Sequence, residues 1–185
     1  MANPSVKAVF LDRDGVVNRG VVRNGKPYPP QTLEELELLP GVESAVKGLK
    51  DSGYQIIIVT NQPDVRTGVQ SIEVLERMHD RLRSWLPIDD IKVCLHSDED
   101  DCACRKPKPG MLIEAAQQHG ISLKDSYMIG DRWRDIEAGK AAGCSTFFVD
   151  YQYDERRPVN PGKIVSGLAE ASRYIMQKIT NDQTR

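Results

Sequence analysis

The chain has 185 residues, 39% of them hydrophobic, with 25 basic against 27 acidic side chains and a formal net charge of −2. That length suits one domain burying roughly 70% of its unfolded surface, and the near-neutral balance offers no basic face for nucleic acid and no basic amphipathic helix for a membrane. No apolar stretch approaches the roughly 18 residues of a bilayer span, and Met1–Lys7 lacks the charged start and apolar run of a signal peptide, so a cytoplasmic protein is expected.

The first predicted element is a buried strand, Val6–Leu11, apolar and β-branched, ending in Asp12-Arg13-Asp14-Gly15. Side chains at i and i+2 of an extended chain share a face, so Asp12 and Asp14 project together at a strand's carboxyl end, where open α/β sheets bind ligands. Two carboxylates so close repel, which calls for a shared proton or a hard cation such as magnesium. The plain alternative is a strand running into an Asp-Gly turn. Asn18–Pro40 carries four prolines and no periodicity, and reads as a loop insertion too short for a folded cap.

A helix over Val42–Ser52 follows, opened by Pro40-Gly41 and closed by Gly53. The strand Gln55–Val59 delivers Thr60-Asn61-Gln62, and an amphipathic helix spans Ser71–Trp85. Next come a strand at Ile91–Cys94, the basic run Arg105-Lys106-Pro107-Lys108-Pro109 and a helix at Gly110–His119. The strand Tyr127–Ile129 ends in Gly130-Asp131, with Asp135 four residues on, inside a helix at Trp133–Ala142. A strand at Thr146–Val149 and a helix at Lys163–Lys178 complete one domain over 1–179, and Thr180–Arg185 reads as a frayed tail. Strands alternating with helices predict an α/β fold, a doubly wound parallel sheet with helices on both faces. Its strand ends deliver a carboxylate pair, a hydroxyl with an amide, and a second acidic pair, with a lysine nearby. That set suits a phosphate held by magnesium and neutral donors.

Cys94, His96, Cys102 and Cys104 fall within eleven positions, enough to close a tetrahedral zinc site with no open position, hence structural. The spacing is tighter than the common finger pattern. The alternative is a surface loop with free thiols; a Cys102–Cys104 disulfide closes too strained a ring. The cluster ends immediately before Arg105 and Lys106, so the metal would fix the segment carrying the lysine. Cys144, at an apolar strand start, reads as a buried thiol.

From Val6 to Val149 these motifs, in this order, resemble the haloacid dehalogenase-like phosphohydrolases. The resemblance implies a magnesium-dependent phosphatase with Asp12 as nucleophile, Asp14 as general acid/base, Thr60 and Lys106 on the phosphate, and Asp131 as late metal ligand with Asp135 as the second acidic position. Magnesium would be held by Asp12, Asp131 and the Asp14 backbone carbonyl, and Asn61 would donate to the phosphoryl oxygens. The run from Cys94 to Pro107 is similar to the zinc-bearing subgroup, which takes in heptose-bisphosphate and histidinol-phosphate phosphatases. Arg105-Lys106-Pro107-Lys108-Pro109-Gly110-Met111 is nearer the heptose branch, and implies carbohydrate metabolism and lipopolysaccharide biosynthesis; the short spacer from His96 to Cys102 is nearer the histidinol-phosphate branch. Asn61-Gln62-Pro63-Asp64 departs from the Asn-Gln-Ser-Gly usual in the heptose enzymes, in the substrate loop. The implied partner is a small phosphorylated sugar, and a monomer is expected.

Among single residues, Arg105 suits a second phosphate through its planar fork, and Arg66 divides evenly between substrate and solvent. Arg13 reads as a sheet-face salt bridge, Lys108 as a solvated charge, and His79 and His119 as helix residues without a function; Trp133 either flanks the site or packs. The rival class is a non-catalytic phosphate-binding module such as a receiver domain, against which stand the acid at Asp14 and the cysteine cluster.

Overall fold

In a computed structural model, residues 6–183 are described. Six strands form one parallel sheet: β1 (Lys7–Leu11), β4 (Tyr54–Asn61), β5 (Asp90–Cys94), β6 (Tyr127–Gly130), β7 (Ser145–Val149) and β8 (Lys163–Val165), in the order β5-β4-β1-β6-β7-β8. Alternation along β1 and β4 sorts two cores. Val9, Leu11, Ile56 and Ile58 face α1 (Val42–Asp51), α2 (Ile72–Trp85) and α5 (Leu168–Gln183), through Val46, Leu49, Met78, Leu82 and Ile175. Ala8, Phe10, Ile57 and Val59 face α3 (Gly110–His119) and α4 (Trp133–Ala142), through Met111, Leu112, Ala115 and Ala138. Both faces of the sheet are thus covered, as a parallel sheet requires, and the doubly wound expectation is borne out. Fully burying one such leucine or isoleucine is worth about 1.5–3 kcal/mol.

The chain builds outward from β1 to β4 and β5, then returns to the other side of β1 for β6. The strand order reverses between β1 and β6, and the crevice at their carboxyl ends is where such sheets bind ligands. Asp12 donates its backbone N–H to Ile129 O at 2.9 Å, which seats the end of β1 against β6 there.

Three expectations need correction. Asn18–Pro40 is not featureless: it holds the antiparallel hairpin β2 (Val21–Arg23) and β3 (Lys26–Tyr28). Asn24 and Gly25 turn it at φ 50° and 73°, the left-handed pair a two-residue hairpin needs. The helix expected at Lys163–Lys178 is a strand followed by a helix. Phe148 pairs with Ile164 and Val149 with Val165, then Ser166 donates its N–H and hydroxyl to Glu170 before α5 begins at Leu168. That helix runs to Gln183, through most of the expected frayed tail; residues 184–185 lie outside the described residues, as do residues 1–5 of the stretch judged free of a signal peptide. Among the described residues, no helix is long and apolar enough to cross a membrane.

Candidate active site

Asp12 and Asp14 follow β1 and Gly15 turns the chain away. At φ 92°, with a Cβ position only 2.0 Å from Asp131 Oδ2, position 15 admits no side chain. The Lys106 ammonium lies 2.6 Å from Asp12 Oδ1 and 2.6 Å from Asp135 Oδ1, and donates to Val59 O at 2.7 Å. All three of its donors are therefore used while the side chain is 2% exposed. Burial works against the charged lysine, but Asp12 and Asp135 outweigh it and raise its pKa above the usual range. Burial pushes the Asp12 carboxyl up to about 6, opposed by Lys106 and reinforced by Asp135 and Asp14. Burial, then repulsion from Asp12 and Asp135, carries Asp131 well above the ordinary carboxylate range.

Asp12, Asp131 and Asp135 each offer a ligand atom within 4.8 Å of the others, and Asp131 Oδ1 is buried with no hydrogen-bond partner. Three buried hard oxygen donors with one lysine between them suit a divalent cation such as magnesium. Asp135 is already engaged through both oxygens, Oδ1 on Lys106 and Oδ2 on the Arg132 N–H at 2.9 Å. Asp135 therefore positions the lysine and the start of α4, leaving the freer oxygens on Asp12 and Asp131.

Asp14 sits in a cradle of donors. Arg13 reaches it through Nε and Nη2 at 3.0–3.2 Å, Asn18 Nδ2 at 2.9 Å and Gln62 Nε2 at 2.7 Å. Arg13 is wholly buried, and its Nη1 lies 3.4 Å from His79 Nε2 on α2. Its expected salt bridge is thus to its own neighbour in the site, and His79 backs it. Burial first, then Arg13 and Arg83, pushes the His79 imidazole down to about 3, so it is neutral.

Thr60, buried at the end of β4, accepts from Gln62 Nε2 at 2.8 Å. Asn61, expected as a donor to phosphate, spends its amide on the backbone of Lys106 instead: Nδ2 donates to Lys106 O and Oδ1 accepts from Lys106 N, both at 3.1 Å. Asp12, Asp14, Thr60, Asn61, Lys106 and Asp135 line one small cavity of about 70 Å³, together with Pro27 and Tyr28 of the hairpin, Pro29 just beyond it, and Arg132 and Arg134.

Arg105 is not among those lining residues. It donates to Asp98 Oδ1 at 2.8 Å and to His96 O at 2.9 Å, and lines an adjoining cavity of about 100 Å³. Arg134 forks onto the same Asp98 at 2.8 and 3.0 Å and lines both cavities. Trp133 carries the guanidinium groups of Arg134 and Arg156 over its ring at 4.9 and 4.4 Å. Arg66 pairs with Asp100 at 2.6 Å, and Lys108 with the exposed Asp101. His119 meets Asp90 at 2.9 Å.

The four expected zinc donors do converge. Cys94, His96, Cys102 and Cys104 place sulfur and Nδ1 atoms 3.1–3.7 Å apart in five of their six pairs. A tetrahedron with metal–sulfur bonds of about 2.3 Å has sulfur–sulfur edges of about 3.8 Å and shorter ones to nitrogen, so the donor set fits zinc. Cys144 is a free buried thiol, pushed up to about 12 by burial. Sequence reasoning passed over Asn18, Gln62, Arg132, Arg134 and Tyr153. The Tyr153 hydroxyl donates to Asp131 Oδ2 at 2.9 Å.

Comparison with known proteins decides the family. A haloacid dehalogenase-like hydrolase family matches over residues 21–143, more than half of the chain. The chain belongs to that family. It is 37% identical, over 72% of its length and 77% of the relative's, to D-glycero-beta-D-manno-heptose-1,7-bisphosphate 7-phosphatase of Helicobacter pylori strain 26695. It is 35% identical to the enzyme of that name from Pseudomonas aeruginosa, over 91% and 97% of the two chains. The D,D-heptose 1,7-bisphosphate phosphatase of B. bronchiseptica, solved with magnesium and phosphate, superposes with a TM-score of 0.80 at 28% identity, over 94% and 99% of the chains. Family and relatives agree with the expected class: the enzyme is a phosphatase.

Proposed function

We propose that this enzyme hydrolyses the 7-phosphate of D-glycero-D-manno-heptose 1,7-bisphosphate through an aspartyl phosphate at Asp12. The observation that carries the reading is the buried pair of Asp12 and Lys106, 2.6 Å apart at the sheet's switch point, with Asp14 two residues on. An Asp12 carboxylate oxygen attacks phosphorus and the bond to the C7 oxygen breaks, while Asp14 gives its proton to that leaving oxygen. Asp14, now a carboxylate, takes a proton from water; the hydroxide attacks phosphorus, freeing Asp12 and inorganic phosphate. Lys106, giving up its bond to Asp12 Oδ1 as that carboxylate becomes the ester, and the Thr60 hydroxyl donate to the phosphoryl oxygens, where charge spreads in a loose transition state. Magnesium, held by Asp12, Asp131 and the Asp14 carbonyl, would neutralise developing charge there. Arg13, Asn18 and Gln62 aim Asp14, and Asn61 aims Lys106.

Arg105, with Arg134, is assigned to the remote 1-phosphate: both guanidinium groups converge on Asp98 in the cavity that adjoins the catalytic one. Cys94, His96, Cys102 and Cys104 would hold a zinc ion, which would fix that cavity and the segment entering Lys106. Three cysteines given to zinc and Cys144 a buried thiol suit a reducing cytoplasm, where we place the enzyme as a monomer.

The test is phosphate release with magnesium from heptose 1,7-bisphosphate, histidinol phosphate and p-nitrophenyl phosphate. The reading expects the highest kcat/KM for the bisphosphate, with the 1-phosphate retained in the product. Preference for histidinol phosphate would move the substrate assignment; no turnover of any ester would leave a phosphate-binding module.

A further inference from the structure

Asp131 directly follows β6 with 1% of its surface exposed, and its two oxygens have different surroundings. Oδ1 is buried without a partner, while Oδ2 accepts from the Tyr153 hydroxyl at 2.9 Å. Tyr153 lies on the loop between β7 and β8, twenty-two residues from Asp131, and no step of the proposed reaction uses it. The loop is itself anchored: Asp154 N donates to Gly25 O at 2.9 Å on the hairpin, and the ring of Tyr151 stacks on that of Tyr153 with centroids 5.5 Å apart.

A carboxylate beside two others turns away from them unless something holds it. Gly15 leaves space against Oδ2, but backbone alone exerts no directional hold; a donor does. The donor here is neutral, so it orients the carboxylate without adding a positive charge that would compete with a cation. A lysine or arginine in its place would do both. From this arrangement we infer that Tyr153 is a positioning residue for the metal site: it holds Oδ2 of Asp131 and so presents Oδ1 to the divalent cation. The inference rests on the magnesium site proposed above. Through Asp154 and Gly25 it also ties the metal site to the hairpin whose Tyr28 lines the catalytic cavity.

Outer-shell partners of metal ligands typically cost about 10–100-fold in affinity when removed. The experiment measures Mn2+ binding to the whole enzyme by electron paramagnetic resonance, without substrate, for wild type, Tyr153→Phe, Tyr151→Phe and Asp131→Asn. Tyr153→Phe keeps the ring and its stack and loses only the donor. It is expected to bind Mn2+ about 10–100-fold more weakly, with Tyr151→Phe at the wild-type value and Asp131→Asn binding none. In turnover, Tyr153→Phe should need proportionally more magnesium yet reach the wild-type kcat at saturation, with the KM for p-nitrophenyl phosphate unmoved. Wild-type Mn2+ affinity in Tyr153→Phe overturns the inference, as does retained binding in Asp131→Asn or no Mn2+ binding by the wild type. If Tyr153→Phe weakens Mn2+ binding and no variant hydrolyses any phosphate ester, the inference stands and the phosphatase chemistry falls.

Discussion

Lys106 reaches Asp12 from 94 residues away in sequence, and its ammonium lies 2.6 Å from the carboxylate with 2% of the lysine side chain exposed. The ion pair is buried, so its removal is costly in two ways. Lys106→Met leaves Asp12 and Asp135 facing each other without a cation, and breaking a buried pair destabilises by about 3–5 kcal/mol. It also removes a charge-assisted donor to the transferred phosphoryl group. We expect a fall in the urea midpoint together with at least a hundredfold loss in kcat/KM on every phosphate ester. Activity lost with no change in stability would mean that the lysine is not paired in the resting enzyme.

The zinc site should be separable from the chemistry. Structural zinc in small sites binds with about 10–16 kcal/mol, so brief EDTA treatment should strip magnesium and leave one zinc per chain. Metal analysis of the magnesium-restored enzyme checks this. Full activity in protein shown to hold no zinc would remove any structural role for Cys94, His96, Cys102 and Cys104.

Arg105 and Arg134 both grip Asp98, and the proposed function gives them the remote phosphate. Charge-assisted hydrogen bonds are worth about 1.5–3 kcal/mol, so either change to alanine should cost roughly ten- to hundredfold in kcat/KM on a sugar bisphosphate. The loss should nearly vanish on p-nitrophenyl phosphate, which has no second phosphate. Equal losses of Arg105→Ala on both substrates would make that residue a brace for the zinc loop, leaving Arg134 as the specificity determinant.

His79 gives a pH signature. Its imidazole stands near 6.5 when unperturbed and is pushed down to about 3 in the fold. On acidification the unfolded chain therefore takes up this proton first, so stability falls as pH drops below about 6.5 and the loss is complete only below the folded value. Within that window this one group contributes a slope approaching about 1.4 kcal/mol per pH unit. His79→Gln should lose less stability than wild type between pH 6 and pH 4 in urea melts. Parallel losses would show that the imidazole is not held neutral against Arg13.

What was legible in the chain was local. The i, i+2 spacing of Asp12 and Asp14, Thr60 at the end of an apolar run, and Asp131 after Gly130 each follow from strand periodicity, and all converge at the switch point. The three-residue strand β8 carries too little pattern to separate it from the helix after it, and only Ser166-Gly167 marks the break. Asn24-Gly25 is a strong hairpin signal that the prolines around it obscured. Strand alternation would turn Arg13 to the sheet face away from Asp12 and Asp14, but β1 ends at Leu11, and beyond the last ladder pair alternation no longer governs. Asn61, Tyr153 and the Arg105–Asp98 pair depend on which loops meet, at separations of 45, 22 and 7 residues, and no local pattern encodes that.

The most direct measurement is to catch the enzyme in turnover. Acid-quenched mixtures with heptose 1,7-bisphosphate, treated with borohydride, convert an acyl phosphate to an alcohol that peptide mass spectrometry locates. The account predicts that modification at Asp12 alone, its disappearance in Asp12→Asn, and its slower formation in Asp14→Asn. Full turnover with no modified Asp12, or wild-type rates in Asp12→Asn, would contradict it.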